Sequence, residues 1–264
     1  MKLGFIGTGN MASAIMGGII KNEVIPAEEI IGADLFAPGR ERVQKQFGIH
    51  VTDSNKEVVK QAEVMILSVK PQFYEDVINE IKDDIKENQI VITIAPGKTL
   101  SWLAEKFGKP VKLVRTMPNT PAMVGEGMTA ACPNEHMTKD EIEYVKTLLE
   151  SFSQVEIVPE RLMDAVVAVS GSSPAYVFVL IEAMADAAVS GGMPRPQAYK
   201  FAAQAVLGSA KMVLETGKHP GELKDMVCSP AGTTIEAVRV LEERGFRSAI
   251  FEAMKVCEEI SRNM

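Results

Sequence analysis

The sequence predicts an α/β fold: a doubly wound, mostly parallel N-terminal domain followed by an all-α C-terminal domain. Three observations carry this expectation. Short apolar runs alternate with helical patterns through the first half of the chain. A glycine turn, G-x-G-x-x-A at Gly7, Gly9 and Ala12, joins the first apolar run to the first helix. Beyond Pro159 the apolar spacing is helical throughout.

The elements follow in order. KLGFI (Lys2 to Ile6) is the first strand, and a helix is expected from about Met11 to Lys21. EIIGAD (Glu29 to Asp34) is the second strand and RERVQKQF the second helix. EVMILSV (Glu63 to Val69) has the continuous apolar run of a strand buried on both faces. QIVITIA (Gln89 to Ala95) and VKLVRTM (Val111 to Met117) follow, each after a helical segment. GMTAAC and Val155 to Pro159 are further strands, separated by a helix from Thr138 to Ser151. Six helices complete the chain: Arg161 to Ala168, Pro174 to Val189, Arg195 to Glu215, Gly221 to Val227, Thr234 to Glu243 and Arg247 to Arg262. The pattern therefore divides the chain into residues 1–160 and 161–264.

Charge and composition exclude several classes. At 46% hydrophobic and 24% charged, the chain has the make-up of a soluble globular protein. A net charge of -7 lacks the basic face that a nucleic-acid partner requires. Cys132, Cys228 and Cys257 form neither a CxxC pair nor a zinc spacing with histidine, so no metal is expected. MKLGFIGTGNMA is too short and too glycine-broken for a secretory leader. No uninterrupted apolar stretch reaches about 18 residues, since Glu182 and Asp186 interrupt the best candidate. A cytoplasmic location and no membrane contact are the expectations. Helices 174–189 and 195–215 are apolar around most of their circumference, more than one small core can enclose. A homodimer through this tail is expected.

The glycine turn has the context of a dinucleotide site: strand before, helix after, and Asp34 ending the next strand. Gly7, Thr8, Gly9, Asn10 and Met11 then present backbone to pyrophosphate at a helix N-terminus. Asp34 suits a ribose 2′-hydroxyl, hence NAD; Arg40 and Arg42 just beyond suit a 2′-phosphate, hence NADP. Both cofactors stay open. Other strand ends complete such a pocket: SVKPQ (Ser68, Val69, Lys70 and Pro71 among them), APGKT (with Ala95 and Gly97) and TMPNTPAMVGEG.

A second polar feature is SPAGTTIEA. Thr233 and Glu236 have capping-box spacing, which places a helix start near Thr234. Gly232 allows close backbone approach, Ser229 and Thr234 offer hydroxyls, and the first helical amides suit a carboxylate. Simple N-capping explains the same residues. His50, His136 and His219 read as surface or capping groups.

GFIGTGNMASAIMGG, SVKPQ, TMPNTPAMVGEG, VSGSSPAYVFVLIEAMADAAVSGGM and HPGELKDMVCSPAGTTIEAVRVLEERGFR occur in this order and span nearly the whole chain. Together they resemble the pyrroline-5-carboxylate reductase family. The resemblance implies a Rossmann-like domain binding NAD(P)H and a helical dimerisation domain. It implies reduction of 1-pyrroline-5-carboxylate to L-proline, the last step of proline synthesis, by hydride transfer to the imine carbon. Ser229, Gly232, Thr233 and Thr234 would hold the substrate, with the Gly232 and Thr233 amides on its carboxylate and the Thr234 hydroxyl on the ring nitrogen. Asn55 would contact the cofactor's adenosine portion, and Lys70, Pro71, Ala95 and Gly97 would line its nicotinamide half. Ala231 stands where many relatives have Gly, and Asp34 where relatives often carry a small polar residue. A 3-hydroxyacid dehydrogenase is the rival enzyme, but it needs a lysine base, and Pro174 to Met193 contains none. A nicotinamide-sensing binding protein would lack the Ser229 to Thr234 turn.

Overall fold

The computed structural model describes residues 2–264. Two compact units make it up: Met1–Ser172 together with Cys257–Met264, and Ser173–Val256.

The first unit contains an eight-stranded sheet. Its elements are β1 (Leu3–Ile6), α1 (Asn10–Lys21), β2 (Ile30–Ala33), α2 (Ala37–Phe47), β3 (His50–Thr52), α3 (Asn55–Gln61), β4 (Val64–Leu67), α4 (Tyr74–Ile81), β5 (Ile90–Thr93), α5 (Leu100–Phe107), β6 (Lys112–Met117), β7 (Gly127–Pro133), α6 (Lys139–Glu150), β8 (Ser153–Ile157) and the short α7 (Met163–Val166). The strand order is β3-β2-β1-β4-β5-β6-β7-β8, and only the β6–β7 pair is antiparallel. This is the doubly wound sheet that the alternating pattern predicts.

All four residues of β4 are buried because helices cover both of its faces. Val64 and Ile66 join Ile15, Ile19 and Phe152 in one core layer. Met65 and Leu67 join Tyr74, Ile78 and Leu103 in the other. Edge strand β3 is absent from the sequence reading. Its three residues are exposed or half-buried, so no apolar run marks them, and His50 sits on it at the surface.

Thr138 caps α6 with a complete capping box: its hydroxyl accepts from the Glu141 amide, and Glu141 accepts from the Thr138 amide at 2.9 Å. Tyr74 binds across two strand ends. Its buried hydroxyl donates to Leu67 O (2.5 Å) and accepts from Ile94 N (3.3 Å). Burial pushes its ionisation far above the ordinary tyrosine range. Tyr74→Phe leaves these backbone groups short of a partner and is expected to cost about 1–3 kcal/mol, read as a lower urea midpoint.

The predicted helix from Arg161 to Ala168 is a composite. A 3-10 turn (Glu160–Leu162) leads into α7 and then a π turn (Val167–Gly171), closed by Ser172 N donating to Val167 O at 2.8 Å. Ser172 and Asp164 meet the end of the chain, through Cys257 Sγ at 3.2 Å and Ser261 Oγ at 2.7 Å. Strands end at Ile157, close to the predicted change at 160, while the compact units part at residue 172 because these turns belong with the sheet.

The second unit is helical: α8 (Ser173–Ser190), α9 (Arg195–Thr216), α10 (Pro220–Val227), α11 (Thr233–Glu243) and the first part of α12 (Phe246–Arg262). Helices α8 and α9 pack on each other and bury small residues, Ala185 from one and Ala198 and Ala202 from the other. Val177, Phe178, Val179, Phe201 and Leu214 stay exposed. One expectation needs correcting. The helical run 160–190 is long and apolar enough to cross a membrane by length and composition, with a mean hydropathy of 1.6 over an 18-residue window. Pro174 does not stop it, because proline is tolerated in a first helical turn. VVAVSG therefore adds to the apolar stretch that follows.

Candidate active site

The parallel registers Ile6↔Ala33, Ile6↔Leu67 and Leu67↔Thr93 bring Gly7, Asp34, Ser68 and Ile94 to one edge of the sheet. Strand order reverses at β1, which lies between β2 and β4, and open α/β sheets bind ligands at such a crevice. Sequence-predicted residues Gly7, Asp34 and Ser68 therefore meet there, with Ile94 leading into the predicted Ala95.

Gly7 has φ +98°, and a Cβ on it would lie 2.7 Å from Ser68 O. Only glycine fits, both in conformation and in space. Ser68 Oγ donates to Gly7 O at 2.7 Å and fastens the SVKPQ strand end to the loop. Gly9 differs. Its φ is −69°, and a Cβ there would meet no atom of the described residues within 4 Å apart from its chain neighbours. Neither conformation nor packing requires glycine at this position, so the open space above it fits a ligand that approaches the backbone closely. Asn10 and Met11 begin α1, whose N-terminus carries no side-chain cap. The residues present thus fit a pyrophosphate.

The Asp34 carboxylate is engaged by the chain itself. Its Oδ2 accepts from Thr8 N (2.8 Å) and Thr8 Oγ1 (3.0 Å), and its Oδ1 accepts from Phe36 N (3.0 Å). Arg40 donates to Asp34 O (2.5 Å) and Arg42 to Thr8 O (2.7 Å). Asn55 opens α3, and its amide donates to Glu80 Oε2 at 2.8 Å, which leaves its carbonyl oxygen as an acceptor. Val69 is half-buried beside the loop, Pro71 is half-buried, Ala95 is buried, and Lys70 is exposed. Gly97 has φ +74°, as a tight turn after β5 requires.

Asn119 was missed by sequence reasoning. It is buried in the TMPNTPAMVGEG segment, donates to Ser170 O and Ser170 Oγ at 3.2 Å each, and accepts from Met128 N at 2.9 Å. It pins that segment to the π turn. An asparagine between two prolines was the available signal, but its partner lies 51 residues away.

The second polar feature lies in the helical unit. Pro230 and Ala231, the latter at φ +56°, follow the signature of a type II turn closed by Gly232 N donating to Ser229 O at 3.0 Å. Holding Ala there costs on the order of 1 kcal/mol. Two expectations change. The N-cap of α11 is Gly232, with no side-chain cap, and Thr233 is already helical. Glu236 binds Arg239 Nε at 2.9 Å, so the predicted capping box does not form. The Gly232 amide closes the turn instead of facing a ligand. Its lack of a side chain is what matters, since a Cβ would lie 2.3 Å from Ser229 Oγ.

The hydroxyl of Ser229 therefore lies beside an uncapped helix start whose first amides belong to Thr233 and Thr234. Thr234 is half-buried, and among the described residues its hydroxyl engages no other group. His219 Nδ1 caps α10 by accepting from Gly221 N at 3.0 Å, the capping role expected. Asp186 binds Arg195 at 2.5 Å. Among the described residues no cluster of metal-ligating side chains occurs.

A family model for pyrroline-5-carboxylate reductase dimerisation matches residues 160–264. Another, described as NADP oxidoreductase coenzyme F420-dependent, matches residues 2–97. The chain is 52% identical to the pyrroline-5-carboxylate reductase of Escherichia coli (strain K12), over 100% of its own length and 98% of that protein's. It belongs to the pyrroline-5-carboxylate reductase family. A solved pyrroline-5-carboxylate reductase from Coxiella burnetii is similar at TM-score 0.92 and 33% identity, covering 99% of this chain and 97% of the other. The Plasmodium falciparum pyrroline carboxylate reductase, solved with NADP bound, is similar at TM-score 0.91 and 31% identity, covering 100% and 97%. The fold class expected from the sequence is that of the family.

Proposed function

We infer that the chain reduces 1-pyrroline-5-carboxylate to L-proline with NADH or NADPH. The observation that carries this reading is that one chain, matching family members end to end, holds both an open glycine loop and, separately in its helical unit, an uncapped helix start beside the Ser229 hydroxyl. When bound, the reduced nicotinamide supplies a hydride to the imine carbon.

The chain's own residues bind and orient. Gly7 to Met11 hold the pyrophosphate, Asn55 the adenosine portion, and Lys70, Pro71, Ala95 and Gly97 the nicotinamide half. The Thr233 amide and the Ser229 hydroxyl hold the substrate carboxylate at the positive end of α11. The Thr234 hydroxyl accepts a hydrogen bond from the protonated ring nitrogen. A protonated imine is already a good hydride acceptor, so no histidine is needed. The three histidines sit in an exposed edge strand, beside Glu135 and at a helix cap, none of them in the two sites described. The test is NADPH absorbance at constant enzyme: it falls when the cyclic imine is added, and a steady signal with both NADPH and NADH removes the reading.

The exposed apolar residues of α8 and α9 are the dimer face. Phe178 and Val179 are 57% and 64% exposed, apolar surface that a partner copy would cover. Light scattering should give a dimer mass for the native chain and a monomer mass for the double variant Phe178→Lys, Val179→Lys. We place the reaction in the cytoplasm, where three unpaired cysteines are at home.

A further inference from the structure

We propose that Asp34 is the brace of the dinucleotide loop and not the acceptor that selects the adenosine ribose. The inference rests on the loop binding a dinucleotide, as proposed above. A carboxylate at the end of β2 ordinarily accepts from ribose hydroxyls and so favours NAD over NADP. Here the chain itself occupies that carboxylate. Oδ2 takes both the amide and the hydroxyl of Thr8, and Oδ1 takes the amide of Phe36. A carboxylate offers about four lone-pair directions, and three are already filled. Oδ2 has no direction left, and the one that remains on Oδ1 sits beside the bond from the Phe36 amide.

The surroundings are shaped for this brace. Thr8 is fully buried between Gly7 and Gly9. A Cβ at Gly32 would lie 3.0 Å from Thr8 Cγ2, and a Cβ at Gly39 would lie 3.4 Å from Thr8 Oγ1. Both glycines let β2 and α2 close around the threonine. Arg42 binds the Thr8 carbonyl, so every polar atom of Thr8 is engaged. Arg40 binds the Asp34 carbonyl, and the Asp34 amide donates to Thr52 O at 3.3 Å. The network fixes the middle residue of the loop, and with it the direction of the amides that follow. Asp34 thus acts on the cofactor through Thr8, as a positioning residue, and it acts alike on NADH and NADPH.

The experiment titrates NADH and NADPH, by fluorescence, into the native chain and the Asp34→Asn, Thr8→Val, Thr8→Ser and Asp34→Asn/Thr8→Val variants. An amide in place of the carboxylate cannot accept all three bonds, so Asp34→Asn should weaken both dinucleotides by about tenfold, with their ratio held within about twofold. Thr8→Val should weaken both in the same way, the double variant should be no worse than Asp34→Asn, and Thr8→Ser should restore native affinity. In turnover assays the KM for the dinucleotide rises while the KM for the imine holds. Selective loss of NADH with NADPH binding retained or improved overturns the proposal, as does a Thr8→Val chain that binds both normally. If the native chain binds neither dinucleotide, the proposed function fails first, and that result is separate from a changed ratio.

Discussion

Thr234→Ala is expected to lower kcat/KM for the cyclic imine roughly 10- to 100-fold and to leave NADPH affinity unchanged. The magnitude is that of one hydrogen bond to a charged group, about 1.5–3 kcal/mol. Thr234 stands at the second helical position of α11, half-buried, behind a glycine N-cap that contributes no side chain. In the proposed site its hydroxyl would hold a proton-bearing nitrogen only while the substrate carboxylate is seated at the helix start, so the loss is expected to fall on the imine and spare the dinucleotide. Thr234→Ser keeps the hydroxyl and should retain most of the activity, which separates lost chemistry from lost helix stability. An unaltered kcat/KM in the alanine variant removes Thr234 from the active site.

Gly9→Val is expected to abolish most dinucleotide binding while the fold stays intact. A Cβ here meets no atom of the described residues beyond its chain neighbours within 4 Å, and the φ of −69° with ψ near −169° is open to valine. Thermal unfolding should therefore stay within about 0.5 kcal/mol of the native chain. The same side chain would fill the space through which pyrophosphate is proposed to approach the backbone, and forcing the ligand aside should cost about 1–3 kcal/mol, or roughly 10- to 100-fold in affinity. Gly7→Val provides the contrast. It strikes Ser68 O and occupies φ +98°, so it should lower stability as well as binding. Equal NADPH affinity in Gly9→Val and native protein would falsify the assignment of this loop.

Much of the fold was legible because each part of it is written in near neighbours. β4 is apolar at every position since both faces are covered, and α1 follows a turn whose glycines are two residues apart. What escaped notice had weak local signals. β3 has three residues and no buried side chain, so it leaves no apolar run. Thr233 and Glu236 have the spacing of a capping box, yet the turn at Ser229 to Gly232 starts the helix one residue earlier, and Glu236 turns to Arg239. The box that does form, at Thr138 and Glu141, has the same spacing. Spacing proposes a cap, and the path of the chain entering the helix decides it.

The sequence by itself determined the alternation of strands and helices, the glycine loop and the polar turn before α11, because periodicity and turn chemistry act over a few residues. The tertiary structure alone decided what the polar side chains do. Asp34 meets Thr8 across 26 residues, Asn119 meets Ser170 across 51, and Tyr74 reaches Ile94 across 20. Each pairing depends on which strand lies beside which, and strand order is set by burying both faces of the whole sheet, a sum over many residues that no short segment contains.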